Sequence, residues 1–228
     1  MNKELKNILN RSTLPLIWLA FMWVLHISTT LFGMHDQLVR FAGLHTQRVD
    51  GLIGIFTAPF VHGDWSHLLS NSLPFLILGT AIFYFYPKIG ARVFLFSWFV
   101  PQIFVWTIVA PSYHIGASGM VYAFAFFLFF SGVFRKEVRA IVLSLLVAFS
   151  YGSLVWGVLP IQEGVSWQGH LFGALVGIVL AWIFRNKGEW VKKEPSEEPD
   201  LYEPGIPYWD YKSLYPPPEG MSYPDEEE

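Results

Sequence analysis

An all-α, polytopic membrane fold of six spanning helices is what this chain of 228 residues predicts, from its composition, its hydropathy and the placement of its basic residues. Hydrophobic residues make up 53% and aromatic residues 18%, whereas charged residues reach only 14%, well below the roughly 25% of soluble domains. Six mainly apolar windows lie near 14–32, 66–86, 92–110, 117–134, 139–159 and 167–184. Each has about the 17–25 residues needed to cross a hydrocarbon core roughly 30 Å thick. Lys and Arg fall in alternate connections, the pattern that orients membrane helices.

Taken in order, residues 1–13 carry Lys3, Lys6 and Arg11 and form a cytoplasmic N-terminus. The first window is longer than a signal-peptide core and no small-x-small cleavage site follows it, so it reads as a retained helix. Residues 33–65 form the one long connection, rich in Gly and His and apolar enough to lie at the outer interface as short amphipathic pieces. Lys88 and Arg92 then separate spans two and three, and Arg135, Lys136 and Arg139 separate four and five. Arg185, Lys187, Lys192 and Lys193 follow span six, so 12 of the 15 basic residues flank the spans on the side of both termini, with Lys212 in the tail. Only Arg40 and Arg48 face the other way, which puts the loops holding His62, His114 and Glu163 outside.

Residues 14–187 are therefore expected to form one membrane domain. From Gly188 onward the chain holds eight prolines and 12 of its 18 acidic residues, the composition of a disordered, solvated acidic tail. There are no cysteines, which excludes disulfides, thiolate nucleophiles and cysteine metal sites. No HExxH pattern or carboxylate cluster suggests a metal, so neither a metal nor a cofactor is expected, and no nucleic-acid partner.

Chemistry would have to come from polar groups inside the spans, where ionisable residues are costly and mark functional sites. With a rise of 1.5 Å per residue, Ser118 lies roughly 25 Å from Arg135, His170 roughly 22 Å from Arg185, Asn71 roughly 25 Å and His67 roughly 32 Å from Lys88. Four polar groups from three spans thus share one layer in the outer half of the bilayer. His67 and Asn71 share a helix face at i, i+4, as do Ser118 and Tyr122. Gly169, Gly173 and Gly177 form a small-xxx-small stripe beside His170, through which span six can approach span four. That would bring the imidazole within reach of the Ser118 hydroxyl, as general-base activation requires.

Hydrogen bonding between membrane helices is the competing reading of each polar residue taken singly. His26 and Gln102 are assigned to packing on that ground, and His62, His114, Asp64 and Glu163 to solvated loops. No Asp or Glu lies within a span window, so a dyad rather than a triad is expected. The G-x-S-x-G elbow of soluble hydrolases is also absent, since Met120 stands at its last glycine.

Three motifs in order make the chain resemble the rhomboid family of intramembrane serine proteases over residues 14–185. They are Gly116-Ala117-Ser118-Gly119, His170 with Gly173 and Gly177, and His67-Leu68-Leu69-Ser70-Asn71 preceded by His62-Gly63-Asp64-Trp65. The resemblance implies a compact rhomboid-like bundle with Ser118 as nucleophile and His170 as general base and later acid. It implies an oxyanion hole of His67, Asn71 and the Ser118 N–H. Tyr122 would pack on the imidazole, with Gly116 and Gly119 allowing close approach at the nucleophile. The implied partners are transmembrane protein substrates and the lipid bilayer, and a bacterial plasma membrane is the expected location. The chain departs from many relatives at Gly51-Leu52-Ile53-Gly54, where they carry a Trp-Arg pair, and at Gly169, where Ala is frequent. A non-catalytic relative that binds membrane clients is the main alternative, and a transporter the remote one, since no repeat or buried carboxylate supports it.

Overall fold

The computed structural model describes residues 3–161 and 166–187. Helix α1 (Lys3–Leu31) is followed by a connection containing α2 (His35–Ala42), strand β1 (Leu44–His45) and α3 (Gly54–Thr57), the last flanked by 3-10 turns at Val49–Gly51 and Ala58–Phe60. Then come α4 (Trp65–Phe85), α5 (Gly90–Ile108), strand β2 (Tyr113–His114), α6 (Ser118–Arg135), α7 (Val138–Tyr151), α8 (Leu154–Gly157) and α9 (Trp167–Ile183). Four of these, α1, α4, α5 and α6, are long and apolar enough to cross a membrane, while α7 and α9 are shorter apolar helices. Large apolar side chains such as Ile17, Val24, Leu73, Leu145 and Phe149 face outward, a surface that hydrocarbon rather than water would cover. The protein is a helical membrane bundle.

Helix α6 is its centre, with 61% of its apolar window buried against 22–33% for the other three long helices. A helix that is apolar all round needs neighbours all round, and α6 packs against α4, α5, α7 and α9. Its closest neighbour is α9: a side chain at Gly173 would press into the Gly119 backbone, and one at Gly177 into the Ala123 and Phe127 backbones. The two helices meet backbone to backbone, as small residues permit. Helix α7 is held by the Ser144 hydroxyl, which donates to the Phe129 carbonyl of α6 at 2.7 Å. On the opposite flank, Trp18 of α1 is 7% exposed, stacks on Phe60 at 4.1 Å and meets Phe94 and Trp98 edge-on.

At the loop end, β1 and β2 pair antiparallel, Leu44 opposite His114 and His45 opposite Tyr113. Thr46 Oγ donates to the Ala110 carbonyl at 2.8 Å and accepts from the Ser112 N–H at 2.8 Å. Trp106 Nε1 donates to the Arg48 carbonyl at 2.9 Å, and the Tyr113 hydroxyl donates to the Val39 carbonyl. The long connection is thereby stapled to the segment leading into α6.

Two element boundaries differ from expectation. Helix α1 starts at Lys3 rather than near residue 14, because its polar first turns continue the helix with Glu4 at its N-terminal end, where the dipole favours an acid. The fifth window, 139–159, contains a break: α7 ends at Tyr151, and the chain turns at Gly152-Ser153 before α8. Glycine is a poor helix former, and hydropathy alone does not register the interruption. The expected acidic tail and Glu163 lie outside the described residues.

Candidate active site

Ser118 opens α6, so its N–H has no intrahelical carbonyl to bond and stands at the positive end of the helix dipole. The approach to it needs Gly116, whose φ of +103° is unfavourable for other residues. A side chain at Gly116 would also come within 2.6 Å of His67 Nε2. The Ser118 hydroxyl, half-buried, lies 2.8 Å from His170 Nε2. His170 belongs to the first turn of α9, is 8% exposed and reaches Ser118 because the glycine contact draws α9 onto α6.

The other ring nitrogen fixes the tautomer. His170 Nδ1 is 3.0 Å from the Gly157 carbonyl, which can only accept, so the proton sits on Nδ1 and the Nε2 lone pair faces the serine. Tyr122, one turn after Ser118, stacks on the imidazole at 4.1 Å and 8°. A side chain at Gly157 would collide with the Tyr122 hydroxyl. Ring, tyrosine and carbonyl therefore lock one another.

His67 is placed by Asp64, the N-cap of α4, whose Oδ1 accepts from the His67 N–H at 2.8 Å. That bond holds the Asp64 carboxyl below its ordinary range. His67 Nδ1 accepts from the Gly63 N–H at 3.5 Å, which leaves Nε2 as the donor facing Gly116. Asn71 is 4% exposed and turns one amide N–H back to the His67 carbonyl at 2.9 Å, so its second N–H remains to be used elsewhere. Gly119 and Gly173 lie at the dyad, whereas Gly177 serves the helix interface one turn away.

The solvated-loop assignment of His62 and His114 is corrected by the structure. His62 is 1% and His114 7% exposed, because the stapled loops fold over the bundle end. Burial lowers His62 to about 3 and His114 to about 4, so both are neutral. His114 bridges Ser112 and Ser166, with Nε2 2.8 Å from one hydroxyl and Nδ1 2.5 Å from the other. Next to Ser118 is a cavity of about 10 Å³ lined by Gln102, His114, Ser166 and the Gly116, Gly119 and Gly169 backbones, room for about one water. Gln102, assigned above to packing, is buried and also faces this space. His26 packs against Trp65 and His35. No cluster of three or more metal-ligating side chains occurs among the described residues.

Sequence reasoning missed Gly157, whose contribution is a backbone carbonyl and has no side-chain signal. It also passed over His62, although that residue stands five positions before His67.

The sequence model of the Rhomboid domain matches residues 49–187. An uncharacterized protein of Mycobacterium tuberculosis is 32% identical over 178 residues, covering 72% of each chain. One from Mycobacterium leprae is 32% identical over 205 residues, covering 80% of this chain and 77% of that protein. A chloroplastic rhomboid-like protein of Arabidopsis thaliana is 28% identical over 151 residues, covering 56% of this chain and 50% of its own length.

Proposed function

This chain belongs to the rhomboid family, and from that premise we propose that it is an intramembrane serine endopeptidase working through a Ser118–His170 dyad. The observation that carries the reading is the 2.8 Å approach of His170 Nε2 to Ser118 Oγ, with Nδ1 committed to a carbonyl. That is the geometry of a base poised over its nucleophile.

In the proposed reaction, Nε2 takes the Ser118 proton as Oγ attacks the scissile carbonyl of a transmembrane protein substrate. The negative charge on the carbonyl oxygen is met by the Ser118 N–H, His67 Nε2–H and the free N–H of Asn71, each such donor being worth roughly 2.7–4 kcal/mol in enzymes generally. The imidazolium, stabilised by the Gly157 carbonyl, protonates the leaving amine. Water in the cavity beside Ser118 then attacks the acyl-enzyme with His170 again as base. A spanning substrate helix satisfies its own backbone hydrogen bonds, so the scissile stretch must unwind locally, which favours small or helix-destabilising residues there. The chemistry calls for no metal or cofactor. The distribution of Lys and Arg supports cytoplasmic termini, and a bacterial plasma membrane is the location that belongs to this proposal.

The test is covalent labelling of the purified protein by a fluorophosphonate, alongside cleavage of a model transmembrane substrate. Labelling and cleavage should both vanish in Ser118→Ala and His170→Ala. Cleavage undiminished in Ser118→Ala would overturn the mechanism, and a wild-type protein that neither labels nor cuts would favour a non-catalytic client binder.

A further inference from the structure

We propose that His62 is a positioning residue that holds the segment entering Ser118 in register with His67. The inference rests on the protease reading above. The stretch 58–63 touches both halves of the candidate site. On one side it accepts two consecutive N–H groups just before the nucleophile: Gly116 N–H bonds to the Ala58 carbonyl at 2.9 Å, and Ala117 N–H to His62 Nε2 at 3.4 Å. Ala117 is the N-cap of α6, and Met120 three residues on has no oxygen to reach back to its N–H, so the imidazole takes the part that a Glu or Gln there plays in a capping box. On the other side, Gly63 N–H donates to His67 Nδ1 at 3.5 Å, and the His62 ring meets the His67 ring edge-on, centroids 5.0 Å apart.

Only a neutral imidazole can accept at Nε2. Burial keeps His62 neutral down to about pH 3, so the lone pair is present throughout the range in which a serine–histidine dyad works. With Nε2 accepting, the proton lies on Nδ1, where the Phe60 carbonyl offers a backbone acceptor. A side chain that merely filled this space would gain from being apolar, since burying a polar ring is unfavourable unless it is hydrogen-bonded. The polar ring is accounted for by the bonds that its nitrogens make.

Three variants separate positioning from packing. His62→Phe keeps an aromatic ring and removes the acceptor; His62→Gln places an amide oxygen near the position of Nε2; His62→Met has similar reach and no strong acceptor. The readouts are kcat and KM on a model transmembrane substrate, the melting temperature, and amide hydrogen exchange of residues 116–119. His62→Phe should lower kcat about ten-fold or more with KM little changed, as expected for displaced reacting groups, and should speed exchange at Ala117. His62→Gln should recover most of both. If His62→Phe does not fold, the comparison of His62→Gln with His62→Met decides: kcat retained by Gln and lost by Met supports the role, and equal values overturn it. Exchange unaltered by loss of the acceptor overturns it whatever the activity. A wild-type protein that fails to cleave, with exchange behaving as expected, counts against the protease reading and not against this one.

Discussion

The Nδ1 proton of His170 is held 3.0 Å from the Gly157 carbonyl, and the same glycine leaves room for the Tyr122 hydroxyl. Gly157→Ala should therefore push the added methyl against Tyr122 and displace either the tyrosine or the carbonyl. A shift near 1 Å at a catalytic group can lower rate by about 10²-fold. We expect that order of loss in kcat, with fluorophosphonate labelling of Ser118 slowed in parallel; unchanged labelling would mean that the ring is oriented by something else. Ser118 and His170 were legible in the sequence because hydroxyl and imidazole are conspicuous in apolar spans and their depths could be counted from basic ends. Gly157 was not, since every residue owns a carbonyl and only the course of α8, which it ends, determines where this one points.

The α6–α9 interface shows the same division between what a sequence marks and what packing decides. The Gly169, Gly173 and Gly177 stripe announces a close helix contact, but not its partner; in the structure Gly173 lies on Gly119, next to Ser118. A methyl at Gly173 cannot be absorbed by a flexible neighbour, because it meets backbone. Gly173→Ala should destabilise the fold by about 1–3 kcal/mol through overpacking and also widen the Ser118–His170 gap. A fall in both melting temperature and labelling rate checks this, whereas a loss of stability with full labelling would separate the interface from the dyad. Hydropathy placed the fifth window correctly in sequence but carried it past Gly152-Ser153, since an apolar α8 continues the signal that the helix does not. Nor does hydropathy distinguish a loop in water from one folded over a bundle end, which is why His62 and His114 looked solvated.

Across the molecule, those two loop histidines couple stability to acid. Each is neutral when folded, with values near 3 and 4 rather than 6.5. Above pH 6.5 neither form is charged and their effect is nil; below it the unfolded chain binds protons that the folded chain refuses. Stability should fall by about 1.4 kcal/mol per pH unit for each histidine between about 6.5 and its folded value. Melting temperatures in detergent from pH 7 to 4.5 should show this decline, and His62→Gln should make it shallower; a flat profile in the wild-type protein would contradict the burial. The cluster around Trp18 has a different bearing. The matched domain begins at residue 49, yet Trp18 comes from α1 and sits among Phe60, Phe94 and Trp98 inside the same core. The stretch matched by the domain model is thus smaller than the packed core. A protein cut down to residues 49–187 would begin life with an empty aromatic socket, and grafting or truncation should respect the helix rather than the match.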